Sequence, residues 1–310
     1  MAQISDEYYY NIILSAKIRM SESFYKSIIN YLDIIRGNIF DEPKSLYYVI
    51  NNPDIFICAL NKYVNNNDLS DSTKEKYIQA IMMLFNYSSD MKNNNYDLYI
   101  KWSTLYNSVK CARTQINQAS QDQIDSYISL DELTCIRDSL SINDQFRILL
   151  SLTLDICPLR SGDYSHLLII YDSADMRGDI NYIMIDKQNN KAEIYINVYK
   201  TAKSYNTIKL DVPSRTYCEI IENLRNEPKD YLFTNNKNQP YSNKTAFMYW
   251  ANGTLKRLTN NTKITFTTLR HIYITELADN DVNNRNKLAR NMGHSIQTQY
   301  KYIWTNINKK

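Results

Sequence analysis

Backbone punctuation is scarce in this chain. Its 310 residues hold only 5 Gly and 6 Pro, so few positions can adopt left-handed turns easily or end a helix for want of an N–H. Such a sequence favours long helices joined by polar turns, here rich in Asn. No apolar run approaches the ~18 residues that a membrane-spanning helix requires, because Asn, Asp, Lys or Tyr interrupts each one, and no membrane association is expected. Residues Met1 to Glu7 lack a basic stretch followed by an apolar one, so no secretory signal is expected either. The five cysteines, Cys58, Cys111, Cys135, Cys157 and Cys218, stand far apart with no C-x-x-C pair. They read as reduced, mostly buried thiols of an intracellular protein rather than a disulfide frame or a zinc site.

At roughly 100 to 200 residues per domain, the length accommodates two. The first ~115 residues read as four or so packed helices, with amphipathic stretches at about 21–36, 53–64, 72–87 and 96–112. Ser72 to Glu75 has the spacing of a capping box, and Tyr77, Ile78, Ile81, Leu84 and Phe85 then recur at helical spacing. Gln115 to Ser126 is polar and aperiodic. The expected division is therefore a helical domain over 1–118, a linker at 119–128 and a second domain over 129–310. A second capping box, Ser129 to Glu132, opens the latter, and Asp144 to Ile156 reads as a buried helix stopped by Pro158. Between Asn181 and Pro213 the period changes to alternation, which predicts three short antiparallel strands at Tyr182–Ile185, Ala192–Val198 and Thr207–Val212. Helices at about 214–226 and 243–257 and two or three closing helices follow.

The net charge of +3 identifies nothing by itself, but its distribution is uneven. Residues 121–186 carry 4 basic and 12 acidic side chains, whereas residues 231–310 carry 12 basic and 3 acidic. Only the last segment is a credible polyanion surface, and a solvated basic face would look the same.

Four segments of the second half carry residues suited to chemistry on a phosphate. Leu159-Arg160-Ser161-Gly162-Asp163 places a five-donor guanidinium directly after a buried helix, with Asp163 able to orient it. Tyr199-Lys200-Thr201-Ala202-Lys203 sets a lysine on a strand-to-strand turn as a proton donor, with Lys203 as the alternative to Lys200. Thr268-Leu269-Arg270-His271 opens a helix. Met292-Gly293-His294-Ser295 is followed by Gln299-Tyr300-Lys301-Tyr302. Singly, each has an ordinary structural reading as a surface arginine, a solvated lysine or a satisfied histidine.

Taken in order, Arg, Lys, Arg, His and Tyr resemble the tyrosine recombinase (phage-type integrase) family. That family has an arginine in L-R-x-G-E/D, a hairpin lysine, an H-x-L-R-H box, an L-G-H box and a tyrosine eight or nine residues later. The resemblance spans 129–302, and Ser72 to Tyr87 is similar to the end of the family's helical core-binding domain. It implies a mainly α protein with a small antiparallel sheet (α+β), in which a DNA clamp precedes a catalytic domain. Residue by residue it implies a catalytic set of Arg160, Lys200, Arg270, His294 and Tyr302. One position departs: Thr267 stands where the family usually has His or Lys, and a hydroxyl donates a hydrogen bond but supplies no charge. Tyr300 is the competing nucleophile; two residues apart on a helix, the two phenols point about 200° apart, so only one can face a given phosphate.

Breaking a phosphodiester without a metal requires fixed cations, because the anionic oxygens repel the attacker. The resemblance implies that Arg160 and Arg270 hold the non-bridging oxygens and that His294 adds a donor, such preorganised contacts being worth ~3–4 kcal/mol each. Tyr302 would form a 3′-phosphotyrosyl bond while Lys200 protonates the departing 5′-oxygen. No cofactor and no metal are implied. The implied partner is double-stranded DNA, and a homo-tetramer is expected to assemble on paired sites, with exchange of the tail Trp304 to Lys310 as the expected link between subunits. The setting would be a virus or mobile element, wherever the target DNA lies, in host nucleus or cytoplasm. A type IB topoisomerase shares most of this constellation, and an inactive DNA-binding derivative is the alternative that Thr267 motivates.

Overall fold

The computed structural model describes residues 5–114, 118–277 and 282–305. The chain divides into two compact units, Met1–Ile116 and Asn117–Lys310.

The first unit is helical throughout its described residues, with helices Asp6–Ala16, Glu22–Gly37, Leu46–Asn51, Pro53–Asn66, Asp71–Tyr87, Ser89–Asn94 and Tyr96–Thr114. Serine starts most of them: the side chains of Ser21, Ser45, Ser70 and Ser88 accept the N–H of Phe24, Tyr48, Thr73 and Met91. The expected cap at Ser72 is thus displaced to Ser70, which has the extended backbone a cap needs, while Ser72 already lies within the first turn. Tyr77, Ile78, Ile81, Leu84 and Phe85 are all buried, in one core with Leu32, Ile35, Phe56, Leu60 and Trp102. The Trp102 indole N–H donates to the Ile50 carbonyl at 3.0 Å, so the largest buried ring leaves no orphan donor. The cysteines depart from expectation: Cys58, Cys135 and Cys218 are exposed and only Cys157 is buried among the four whose side chains are described, Cys111 lying outside these. Cys58 stands two positions from both Phe56 and Leu60, which are buried, and so falls on the opposite side of its helix.

The second unit begins at Asn117, ahead of the expected linker, and takes in residues 119–128. Polar residues there build a short helix, Gln121–Asp125, closed by a full capping box: Ser120 Oγ accepts the Gln123 N–H, and Gln123 Oε1 accepts the Ser120 N–H. Lys263 holds Asp122 and Asp125 at 2.8 and 2.7 Å. Ser129 caps the Leu130–Ser139 helix through the Glu132 N–H. The buried segment at 144–156 is not one uniform helix: an α-helical part, Gln145–Ser151, widens into a π-turn, Leu152–Ile156, before Pro158.

The sheet has four strands rather than three: β1 Leu168–Ile170, β2 Tyr182–Asp186, β3 Lys191–Ile196 and β4 Ile208–Asp211, in that spatial order. β2, β3 and β4 are antiparallel neighbours, whereas β1 runs parallel to β2 with Ile169 opposite Ile183. The sheet is therefore mixed. β1 escapes a periodicity test because it is three apolar residues long and does not alternate. The helices after β4 are Ser214–Asn226, Lys244–Thr259, Phe266–Glu276, Val282–Asn291 and Ile296–Tyr300. The fold class is α+β and mainly helical. Among the described residues no helix is long and apolar enough to cross a membrane.

Trp304 opens the tail expected to be exchanged. It is buried, stacks on His271 at 4.9 Å and donates its backbone N–H to Thr275 Oγ1. Residues 306–310 of that tail lie outside the described residues.

Candidate active site

A cleft of about 400 Å³ opens in the second unit, and its lining includes Arg160, Asp163, Lys200, Lys244, Thr267, Arg270 and Tyr302. Five chain segments reach it. Arg160 precedes the one-turn helix Ser161–Tyr164 in extended conformation, and its carbonyl accepts the Asp163 N–H at 2.8 Å. Its guanidinium stands 4.0 Å from Asp163 Oδ2, while Lys244 Nζ stands 3.9 Å from Oδ1. Burial pushes the Asp163 carboxyl above the usual carboxylate range, against the pull of Lys244, Arg160 and Arg270.

Lys200 lies in the β3–β4 connection, which is a helical turn, Ala202–Tyr205, ending at left-handed Asn206 rather than a plain hairpin turn. Lys200 is exposed and lines the cleft; Lys203, on the helical turn, does not line it. Thr201 Oγ1 ties this connection to the Gly293 carbonyl at 2.6 Å. Gly293 has φ +66, and a β-carbon there would lie 2.7 Å from the Tyr199 ring, so glycine alone fits the corner before His294.

Arg270 is the deepest cation, 2% exposed on the Phe266–Glu276 helix. Its Nη1 donates to the Pro158 carbonyl at 2.9 Å and its Nη2 meets His294 Nδ1 at 3.3 Å. Its Nε–H has no partner among the described residues. Burial lowers its pKa, which the Tyr302 phenol partly offsets; a guanidinium remains charged regardless. Thr267, one turn earlier on this helix, is exposed at the cleft.

His294 is also buried, and its Nε2 makes a short hydrogen bond to Gln299 Oε1. An amide oxygen only accepts, so Nε2 carries the proton and Nδ1 accepts from Arg270. Burial, reinforced by the positive charges of Arg270 and Arg160, lowers the His294 pKa to about 4, against the opposing Gln299 bond. The ring is therefore neutral near pH 7. It does not offer the free donor that the sequence led us to expect, because that N–H is spent on Gln299.

Tyr302 lies in the turn just after the Ile296–Tyr300 helix. Its ring stacks on His294 with centroids 5.4 Å apart, sits 4.5 Å from the His271 ring, and has the Arg270 guanidinium 5.3 Å from its centre. His271 Nδ1–H donates to the Tyr302 carbonyl at 3.0 Å. Tyr300 lies elsewhere: it is 42% exposed, sits beside Arg285 and does not line the cleft.

Residues 154–309 match the model of the phage integrase family. The chain belongs to this family. DNA cleavage and rejoining in general come with membership. Among solved structures, the chain resembles a lambda integrase dimer bound to a COC′ core site at 14% identity, covering 99% of this chain and 81% of that one with a TM-score of 0.53. It also matches XerA recombinase at 16% identity, 97% and 95% coverage and a TM-score of 0.42. At these identities the first likeness is one of fold alone. No curated protein matches the chain in sequence.

Two further side chains complete the site beyond the set that the sequence implied, Lys244 at the cleft and Gln299 on His294. Gln299 carries no signal, since an amide between Thr and Tyr in a helix is unremarkable. Lys244 carries one: a basic residue in the first turn of a helix, after the cap Asn243, opposes the macrodipole.

Proposed function

We propose that this integrase-family chain is a site-specific recombinase that breaks and rejoins double-stranded DNA through a 3′-phosphotyrosyl bond to Tyr302. The observation that carries this reading is the cleft that Tyr302 shares with Arg160, Lys200 and Arg270, with the Arg270 guanidinium over the Tyr302 ring and both His271 and His294 beside it. Arg160 and Arg270 bind the non-bridging oxygens of the scissile phosphate. The unpartnered Arg270 Nε and the loosely held Arg160 leave donors for that purpose. Tyr302 gives up its phenolic proton to solvent, and attack of the resulting phenolate oxygen on phosphorus forms the P–Oη bond as the P–O5′ bond breaks. Lys200 delivers the proton to the leaving 5′-oxygen. The reverse step, attack by a 5′-hydroxyl of another strand, rejoins DNA with no external energy source, because the phosphotyrosyl ester stores that of the broken bond.

His294 serves by shape before charge. Neutral and held by Gln299, it accepts from Arg270 and stacks the phenol, fixing both against the phosphate. The proposed assembly is a tetramer on paired sites of a viral or other mobile element, with the first unit as a second DNA-binding body. Duplexes carrying a nicked suicide site, drawn from the ends of the element that encodes the chain, test the reading. The native chain and Tyr300→Phe should form a covalent adduct and Tyr302→Phe none. An adduct that survives Tyr302→Phe would remove the assignment. Relaxation of arbitrary plasmids without recombination would favour a topoisomerase instead.

A further inference from the structure

We infer that Lys244 is a further phosphate-binding cation of the cleft, holding a DNA backbone phosphate next to the one that Arg160 and Arg270 grip. The inference rests on the reading above for the identity of the polyanion. Four observations support it. Lys244 lines the same cleft as both arginines. Its ammonium shares the buried Asp163 carboxylate with Arg160, one oxygen each, at 3.9 and 4.0 Å. Those separations exceed the roughly 2.7–2.9 Å of a charge-assisted hydrogen bond, so two cations face one carboxylate and each keeps donors for a ligand.

The lysine stem is also built in. A β-carbon on Gly162 would press on Lys244 Cβ and Cδ, both at 3.3 Å, so the glycine of the Arg160 loop lets the lysine lie along its backbone. Finally, Lys244 does nothing for the helix that it opens, where the macrodipole favours an acid. Neutralising Asp163 is the competing role, but a half-exposed partner at 3.9 Å is a weak counter-ion. On the same cleft Thr267 offers only a hydroxyl, and Lys244 supplies the charge that a hydroxyl lacks.

The test is the salt dependence of binding to a duplex of arbitrary sequence, which requires no cleavage. Lys244→Ala and Lys244→Gln should each flatten the slope of log K against log salt by about 0.9, the counterion release of one phosphate contact on B-form DNA, and Lys244→Arg should keep the native slope. An unchanged slope in Lys244→Ala, with or without a lower melting temperature, overturns the inference, as does an arginine variant as flat as the alanine one. Adduct formation is scored separately. A flattened slope in a chain that never joins DNA to Tyr302 refutes the cleavage reading and keeps Lys244 on a phosphate; an adduct with an unflattened slope does the reverse.

Discussion

Two groups of buried charge lie in the second unit, and they are completed differently. Around Glu219 the charges are answered at close range. Arg147 reaches Glu219 at 2.8 Å, Ser151 donates to its other oxygen at 2.5 Å, Arg137 reaches Asp155 at 2.6 Å and Thr216 donates to the same carboxylate at 2.8 Å. Arg147 further donates to the carbonyls of Arg137, Asp138 and Leu140. In the cleft the buried Arg270 keeps an N–H without a partner among the described residues, and Asp163 meets its cations at 3.9 and 4.0 Å. A saturated network holds helices together and has nothing left to give. An unsaturated one retains desolvated donors, and that is what a phosphate requires. The first unit lacks both, since its described core is apolar and the buried polar side chains begin only at Ser126.

The sharpest way to break this contrast is to remove one charge from each group. Arg270→Lys should slow adduct formation per folded molecule by about 10²–10³-fold, as loss of a preorganised donor does. Glu219→Gln should do the opposite, costing about 3 kcal/mol of stability by leaving Arg147 buried without its partner while the rate per folded molecule holds. Thermal melts beside single-turnover assays read both; a rate loss in Glu219→Gln at full stability would erase the distinction. A smaller effect comes from His294. The unfolded imidazole takes up a proton near pH 6.5, and the folded one refuses it until about pH 4. Stability from this group is therefore whole above pH 6.5 and declines as the pH falls toward 4. His294→Asn should flatten that part of the stability profile, and an unaltered profile would mean that the ring is not held neutral. Smallest is Thr216→Val, which deletes one neutral donor to Asp155 and should cost about 1 kcal/mol in a denaturant melt without changing the cleavage rate.

Much of the helical architecture is legible in the residues, because burial imposes a period that Tyr77, Ile78, Ile81, Leu84 and Phe85 display openly. Local chemistry reads less well. A serine three residues before a glutamate placed a cap at Ser72, yet Ser70 competes for the same helix start, and only the backbone chooses between them. Alternation exposed three strands of the sheet but not β1, whose pairing with β2 is a long-range parallel contact without local signature. In the cleft, the arginine, lysine, histidine and tyrosine boxes announce themselves by residue type and order. Lys244 and Gln299 do not, since their parts depend on Gly162 and His294, far away in the chain.

By itself, the sequence determined a chain poor in breakers, helical by period, and carrying cations and phenols in an order that marks its family. The resemblance preferred Tyr302 to Tyr300, and the tertiary structure sets Tyr302 in the cleft with Arg270. Tyr300 ends its helix on an exposed face, whereas Tyr302 lies in the turn that follows. That placement is set by where the segment docks, with Trp304 stacked on His271 and the Tyr302 carbonyl bonded to that same ring. The structure likewise decided that one buried carboxylate lies between two cations, because spare binding capacity is a property of distances between segments and no single segment encodes it.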